Sequence, residues 1–176
     1  VVTKSIGEGL VTCNLNSLAI HNVFGKEVDL QRVVDIQYRM LDNVISHNRT
    51  AVLQATHTNN LYRAVGGGSL GLATHLADKG IKWESPQCAE YVGEIFKQYH
   101  KAAIKASHKL STEKGSYPLY EGSDWQTGEY FTKRGFTGEE WEETKQLASQ
   151  GMRNGYLQAV APTSSNSVIV NGSPSL

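Results

Sequence analysis

The sequence predicts a mostly helical α/β fragment whose few strands need a larger sheet to complete them. Three observations carry this. Apolar residues recur at helical spacing in several long stretches. Extended apolar segments stand only near the two ends of the chain. Two strands alone make a marginal sheet. The 176 residues suffice for one core, here read as a single partial domain spanning 1–176.

The chain opens on an extended segment, with Leu10, Val11, Leu15, Leu18 and Ile20 among turn-forming Gly and Asn. A helix follows, capped by Asp29, with Leu30, Val33, Val34, Leu41, Val44 and Ile45 along one face, fading near His47-Asn48. Residues 47–60 read as a loop. A shorter helical region runs from about Leu61 to Lys79. Gly66-Gly67-Gly68 interrupts it, read as close helix packing or a bend, and Gly80 stops it.

The clearest helix is the third. Ser85 caps it and Pro86 takes its first position. Cys88, Tyr91, Val92, Ile95, Tyr99, Ala102, Ala103, Ala106 and Leu110 form its apolar stripe, over a length of about 40 Å at ~1.5 Å per residue. Gly115 and Pro118 end it.

Residues 116–136 predict an ordered loop with a short helix. Thr137 and Glu140 make a capping box for a helix carrying Trp141, Thr144, Leu147 and Ala148, stopped by Gly151. Leu157-Gln158-Ala159-Val160 reads as a short buried strand running into a polar loop.

Lys plus Arg and Asp plus Glu balance at 17 each, which argues against a nucleic-acid partner held by a broad basic surface. A nucleotide needs only a local anion site. Two cysteines make no disulfide framework, and neither they nor the six histidines show zinc spacing, so no metal site is expected. No apolar run approaches the ~20 residues that span a bilayer, and the first ten residues carry no signal-peptide pattern. The expectation is a cytoplasmic protein without membrane contact. The chain opens on Val1 rather than Met, as expected of a processed, split or truncated polypeptide.

Pro162-Thr163-Ser164-Ser165-Asn166-Ser167 is the strongest local chemical signal. It offers hydroxyls, an amide and backbone N–H groups, and a helix starting within it would favour an anion such as phosphate. By itself it reads first as a polar loop with an N-cap. Cys13 and Cys88 read first as apolar filler, the former on a buried strand and the latter in the first turn of the third helix. Glu139, Glu140, Glu142 and Glu143 read as a solvated helix start.

Three stretches, in order, resemble the C-terminal half of the ribonucleotide reductase catalytic subunit. The first is Thr12-Cys13-Asn14-Leu15-Asn16-Ser17-Leu18. The second combines Arg39-Met40-Leu41-Asp42-Asn43, Arg63-Ala64-Val65-Gly66-Gly67-Gly68 and Leu76-Ala77-Asp78-Lys79-Gly80. The third runs from Gly151-Met152-Arg153-Asn154-Gly155 through Ala161-Pro162-Thr163 to Asn171-Gly172-Ser173-Pro174-Ser175. Ala106-Ser107-His108-Lys109-Leu110 also fits.

The resemblance implies a ten-stranded α/β barrel, to which this chain gives late strands and outer helices. It implies ribonucleotide reduction begun by a thiyl radical, with a cysteine pair supplying the electrons. Cys13 matches the second member of that pair, its partner lying in an earlier part of the subunit, with exchange against a thioredoxin or glutaredoxin-type reductant restoring it. Pro162, Thr163, Ser164, Ser165, Asn166 and Ser167 match the loop that holds the substrate diphosphate. Asn166 departs from the usual Thr or Ser, and Gly67 from an aliphatic residue.

Implied partners are the remainder of the large subunit, a radical-generating, metal-containing small subunit and a ribonucleoside diphosphate, with no cofactor bound by this chain itself. A cobalamin-dependent relative is a further form of the same resemblance. The radical-bearing Cys, the first redox Cys, the effector sites and the C-terminal shuttle cysteines have no counterpart here, so these residues alone are expected to be inactive. A competing reading is a noncatalytic remnant or subunit-interaction module of the same fold.

Overall fold

A computed structural model describes residues 9–26 and 28–176; the sequence reading of the first eight residues falls outside them. The elements run β1 (Leu15–Ala19), α1 (Ile20–Val23), α2 (Leu30–His47), α3 (Leu53–Tyr62), β2 (Gly66–Leu70), α4 (Leu72–Asp78), α5 (Pro86–Lys114), α6 (Asp124–Thr127), α7 (Glu129–Arg134), α8 (Glu142–Gln150) and α9 (Ser164–Ile169), with a 3-10 turn at Glu139–Trp141 before α8. The α/β reading stands as a mostly helical fold around a two-stranded sheet. β1 and β2 pair in parallel, from Leu15 opposite Gly66 to Ala19 opposite Leu70.

The two long helices form where their caps and stripes place them. Asp29 accepts from the Arg32 amide, and Ser85 from the Cys88 amide with Pro86 next. Each cap satisfies one amide that a helix start leaves without a partner. α2 and α5 pack on each other through Val34, Tyr38, Leu41, Tyr99, Ala103 and Ile104, all at 3% exposure or less. Burial of one such large side chain contributes about 1.5–3 kcal/mol. Cys88 is apolar filler, in a second cluster with Ile20, Leu72, Leu76 and Ile95.

Five sequence readings of the elements are corrected. The loop read at 47–60 contains α3, whose Thr56, Thr58, Asn59 and Asn60 lack both an apolar stripe and high helix propensity. The glycine run is no bend but the buried strand β2. At Gly67 a Cβ would stand 2.8 Å from the Tyr38 hydroxyl oxygen, so a side chain there has no room beneath α2. The capping box is absent: Gly138, not Thr137, precedes the 3-10 turn, without a side-chain cap.

Finally, Leu157–Val160 forms no regular strand, and Val160 is 52% exposed. The segment still lies along β2, with the amides of Val65 and Gly67 donating to the carbonyls of Tyr156 and Leu157 at 3.0 and 2.8 Å. Residues 116–136 hold two short helices, α6 and α7, rather than one.

Candidate functional site

Three extended segments lie side by side: β1, β2 and residues 155–159. Their two faces differ. Asn14, Asn16 and Leu18 turn toward the helices: Asn14 Nδ2 donates to Asn59 Oδ1, Gln37 Nε2 to Asn16 Oδ1, and Leu18 is 5% exposed. The opposite face carries Leu15, at 45% exposure, and Ser17. Gly66 and Gly68 share it. A Cβ at Gly66 would stand 2.5 Å from Leu15 Cδ2, and one at Gly68 2.5 Å from the Ala159 carbonyl oxygen.

Cys13 belongs to this bare face. Thr12 Oγ1 donates to Asn59 Oδ1 at 2.7 Å and Asn14 Nδ2 reaches the same oxygen at 3.3 Å. In extended chain successive side chains alternate, so Cys13 between them points away from α3. It is exposed and stands two residues ahead of β1, which corrects its reading as a buried strand residue. The Leu10 amide also donates to Thr58 Oγ1 of α3 at 3.0 Å. The helix missing from the sequence reading is thus what holds the cysteine segment.

The 162–167 run begins α9, as the anion-site reading required. Ser167 is the first of its residues whose amide reaches back one turn, to the Thr163 carbonyl at 2.9 Å. The amides of Ser164, Ser165 and Asn166 precede any such intrahelical acceptor. Pro162, Ser164, Ser165 and Asn166 are exposed, Thr163 is half-buried and Ser167 buried. Thr163 has φ +50, in the left-handed region that a β-branched residue rarely enters. Three of the four non-glycine residues with positive φ among the described residues, Thr163, Asn171 and Ser175, lie in or just after the loop. Such strain costs of order 1–3 kcal/mol each and gathers at ligand-binding segments.

The structure does not set Cys13 against this loop. All three segments run parallel, with Cys13 at their amino ends and the loop beyond their carboxyl ends. The five residues of β1 separate the two levels, roughly 17 Å at about 3.3 Å per residue.

Behind the sheet, a buried ion cluster missed by the sequence reading ties three distant segments together. Asp42, fully buried on α2, accepts from Arg63 Nη2 at 2.6 Å, Arg153 Nε at 3.0 Å and Lys114 Nζ at 3.0 Å. Burial pushes its carboxyl up, but hydrogen bonds from Lys114 and Arg63 and the charges of Arg63 and Arg153 outweigh this and hold it below the usual range. Arg63 itself sits at φ +44, its carbonyl accepting from Asn154 Nδ2. The cluster fixes the entries to both β2 and residues 155–159. Its sequence signal was the charged residues recurring within the resemblance segments.

A cavity of about 530 Å³ opens on the helical side, lined by Tyr62, His100, Tyr117, Trp125, Tyr156 and Gln158 among others, but by neither Cys13 nor the loop. His100 Nδ1 lies 2.6 Å from Gln158 Oε1, an acceptor, and so carries the ring proton; its Nε2 takes the Tyr130 hydroxyl at 3.0 Å. Burial lowers its pKa, outweighing the raising effect of the Gln158 hydrogen bond. Among the described residues no group of three His, Cys, Asp or Glu is placed to hold a metal ion, and no helix is long and apolar enough to cross a membrane.

With this geometry in place, similarity to known proteins gives it a family. The model of the ribonucleotide reductase barrel domain matches residues 2–176. The chain is 46% identical over 172 residues to a ribonucleoside-diphosphate reductase subunit alpha of Treponema pallidum, covering 96% of this chain and 20% of that protein. It is 35% identical over 185 residues to the subunit alpha of Helicobacter pylori, covering 97% and 23%, and 31% identical over 172 residues to that of Synechocystis, covering 93% and 22%. The chain therefore spans about a fifth of the length of these relatives. It belongs to the ribonucleotide reductase barrel-domain family.

Proposed function

We propose that this chain is the C-terminal barrel portion of a ribonucleoside-diphosphate reductase large subunit, a single partial domain that gives one redox cysteine and the substrate phosphate loop to a ten-stranded α/β barrel. The observation that carries the reading is the two-sided sheet. One face is filled by helices. The other carries Cys13 near its amino end and side-chain-free Gly66 and Gly68, and the loop of hydroxyls and amides follows beyond the carboxyl ends of the strands. A face so poor in side chains suits a cavity closed by the remainder of the subunit.

In the proposed reaction Cys13 and a partner cysteine from that remainder are the reductant. The two thiols become a disulfide, giving up two electrons and two protons. The ribonucleotide loses its 2′-oxygen as water and gains hydrogen in its place. A thiyl radical on the missing portion, generated through a separate metal-containing subunit, opens the substrate to this reduction. A thioredoxin or glutaredoxin-type protein then returns the disulfide to thiols by exchange.

Exposure of Cys13 in the isolated chain serves both contact with a partner cysteine and exchange. Amides of Ser164, Ser165 and Asn166 and hydroxyls of Thr163, Ser164 and Ser165 hold the diphosphate, and Asn166 donates through its side-chain amide where a hydroxyl is usual. Ser167, expected among them, is buried, with its amide donating to the Thr163 carbonyl and its hydroxyl to the Ser164 carbonyl, and Pro162 has no N–H, so these two shape the turn instead. The cytoplasm is the compartment such a reductase would serve.

The test mixes this chain with the remaining large-subunit portion and a radical subunit and follows ribonucleoside diphosphate reduction, with the native chain or Cys13→Ser. Turnover that requires this chain, and that fails over multiple cycles with Cys13→Ser, is the expected result. Reduction by the 176 residues alone, or a stable complex without turnover, contradicts it; the latter favours a subunit-interaction module.

A further inference from the structure

The segment after α9 turns back and locks onto the carboxyl end of the sheet. Three hydrogen bonds centre on Ser173. Its amide donates to Thr74 Oγ1 at 2.8 Å, its hydroxyl accepts from the Thr74 amide at 3.2 Å, and its carbonyl accepts from the Gly71 amide at 2.8 Å. Thr74 lies in the first turn of α4, where amides lack intrahelical partners, and the preceding Gly71 has no side chain to cap them. Ser173 thus caps α4 from 99 residues away in the chain.

His21 makes the second contact. Its Nε2 lies 3.0 Å from the Val170 carbonyl and so donates to it. Its ring fills a slot between two glycines: a Cβ at Gly71 would stand 2.1 Å from its Nδ1, and one at Gly172 2.5 Å from its Cε1. The far end of the segment closes on the loop itself, the Ser175 amide donating to Thr163 Oγ1 at 2.9 Å. The left-handed Thr163, which sets where the first amides of α9 point, is therefore tied through 170–175 to two residues remote in sequence.

We propose that His21 and Thr74 are positioning residues for the 162–167 loop, holding it through the Val170–Ser175 return in the shape that receives a substrate diphosphate. The inference rests on the phosphate-binding reading above. Neither residue touches the substrate. Each fixes the segment that fixes Thr163, so their loss should weaken ground-state binding of the diphosphate more than it slows the reaction.

The experiment uses the assembled reductase, large subunit complete, and compares Thr74→Val, Thr74→Ser and His21→Phe with the direct loop variants Ser164→Ala and Ser165→Ala. KM, kcat and substrate Kd are measured with a ribonucleoside diphosphate. Thr74→Val and His21→Phe are expected to raise KM and Kd about tenfold, the equivalent of about one hydrogen bond, with kcat changed less than about twofold, and Thr74→Ser to restore native values. If Thr74→Val does not fold, Ser173→Ala reports on the same pair.

Raised KM in the loop variants with native KM in the lock variants overturns the proposal and leaves the loop as the substrate site. A lower Tm with native KM also overturns it, reducing the lock to a structural role. Native KM in every variant removes the phosphate-binding reading, and the lock falls with it.

Discussion

The two faces of the sheet obey different rules. On the helical face Tyr38 donates to the Leu157 carbonyl, Tyr99 to Gln37 and the Gly68 carbonyl, and Asp42 accepts from three cations, while the Ser69 hydroxyl is buried without a hydrogen-bond partner. On the opposite face Leu15 is half exposed and Gly66 and Gly68 carry no side chain, although Leu70 at its carboxyl end is buried; the positive-φ residues Thr163, Asn171 and Ser175 follow beyond that end. The comparison teaches that one sheet separates its helix-packed side from the side on which the proposed chemistry would lie. Helix packing holds the strands from behind, leaving the front for the thiol and the loop proposed to bind phosphate.

The largest effect expected from breaking this division comes on the front. Cys13→Ser should abolish repeated turnover of the assembled reductase while leaving the denaturation midpoint of the chain within about 0.5 kcal/mol, as an exposed substitution does. A marked loss of stability would show that Cys13 is a packing residue after all.

Behind the sheet, Asp42→Asn should cost about 3–5 kcal/mol in urea denaturation, because it strands buried cations. The lowered pKa gives the effect a pH signature. The native carboxylate contributes its full stability above the unfolded value of about 3.9, and loses it as pH falls through the lower folded value. The gap between native and variant should hold at neutral pH and close below about pH 4. A gap that stays constant to pH 2 would show that folding does not lower the Asp42 pKa.

Gly68→Val tests the crowding between strands. Its Cβ would meet the Ala159 backbone, which has little freedom to give, so a loss of about 1–3 kcal/mol is expected, with residues 155–159 displaced from β2. Amide exchange at Gly67, whose N–H donates to Leu157, would report that displacement; unchanged protection would contradict it. The smallest effect belongs to the surface. Lys133, paired with Asp124 and Glu129 but 58% exposed, should leave the urea midpoint essentially unchanged as Lys133→Ala, because solvent screens such pairs.

Much of the helical layer was legible because its signals are local. Asp29, Ser85 and Pro86 announce helix starts whatever surrounds them, and the stripes of α2 and α5 report a buried face. The same logic failed for α3, whose polar residues show their purpose only when Asn59 accepts from the Thr12 and Asn14 side chains and Thr58 from the Leu10 amide. It failed for β2, because three successive glycines carry no hydrophobic alternation. Gly67 makes room for Tyr38, a residue 29 positions earlier.

By itself the sequence determined the long helices; it offered a helix start within 162–167 only as a condition, and the two segments proposed to carry chemistry stood out through their family resemblance. Each is encoded in residues close together along the chain, where caps, stripes and hydroxyl clusters act over one or two turns. Only the tertiary structure decided that Cys13 is exposed rather than buried, that a glycine run is a strand, and that Asp42, Arg63 and Arg153 meet at one carboxylate. It also decided that Ser173 caps a helix 99 residues before it. These depend on contacts between distant segments, which a one-dimensional pattern does not encode and which form only when α2 and α5 close over the back of the sheet.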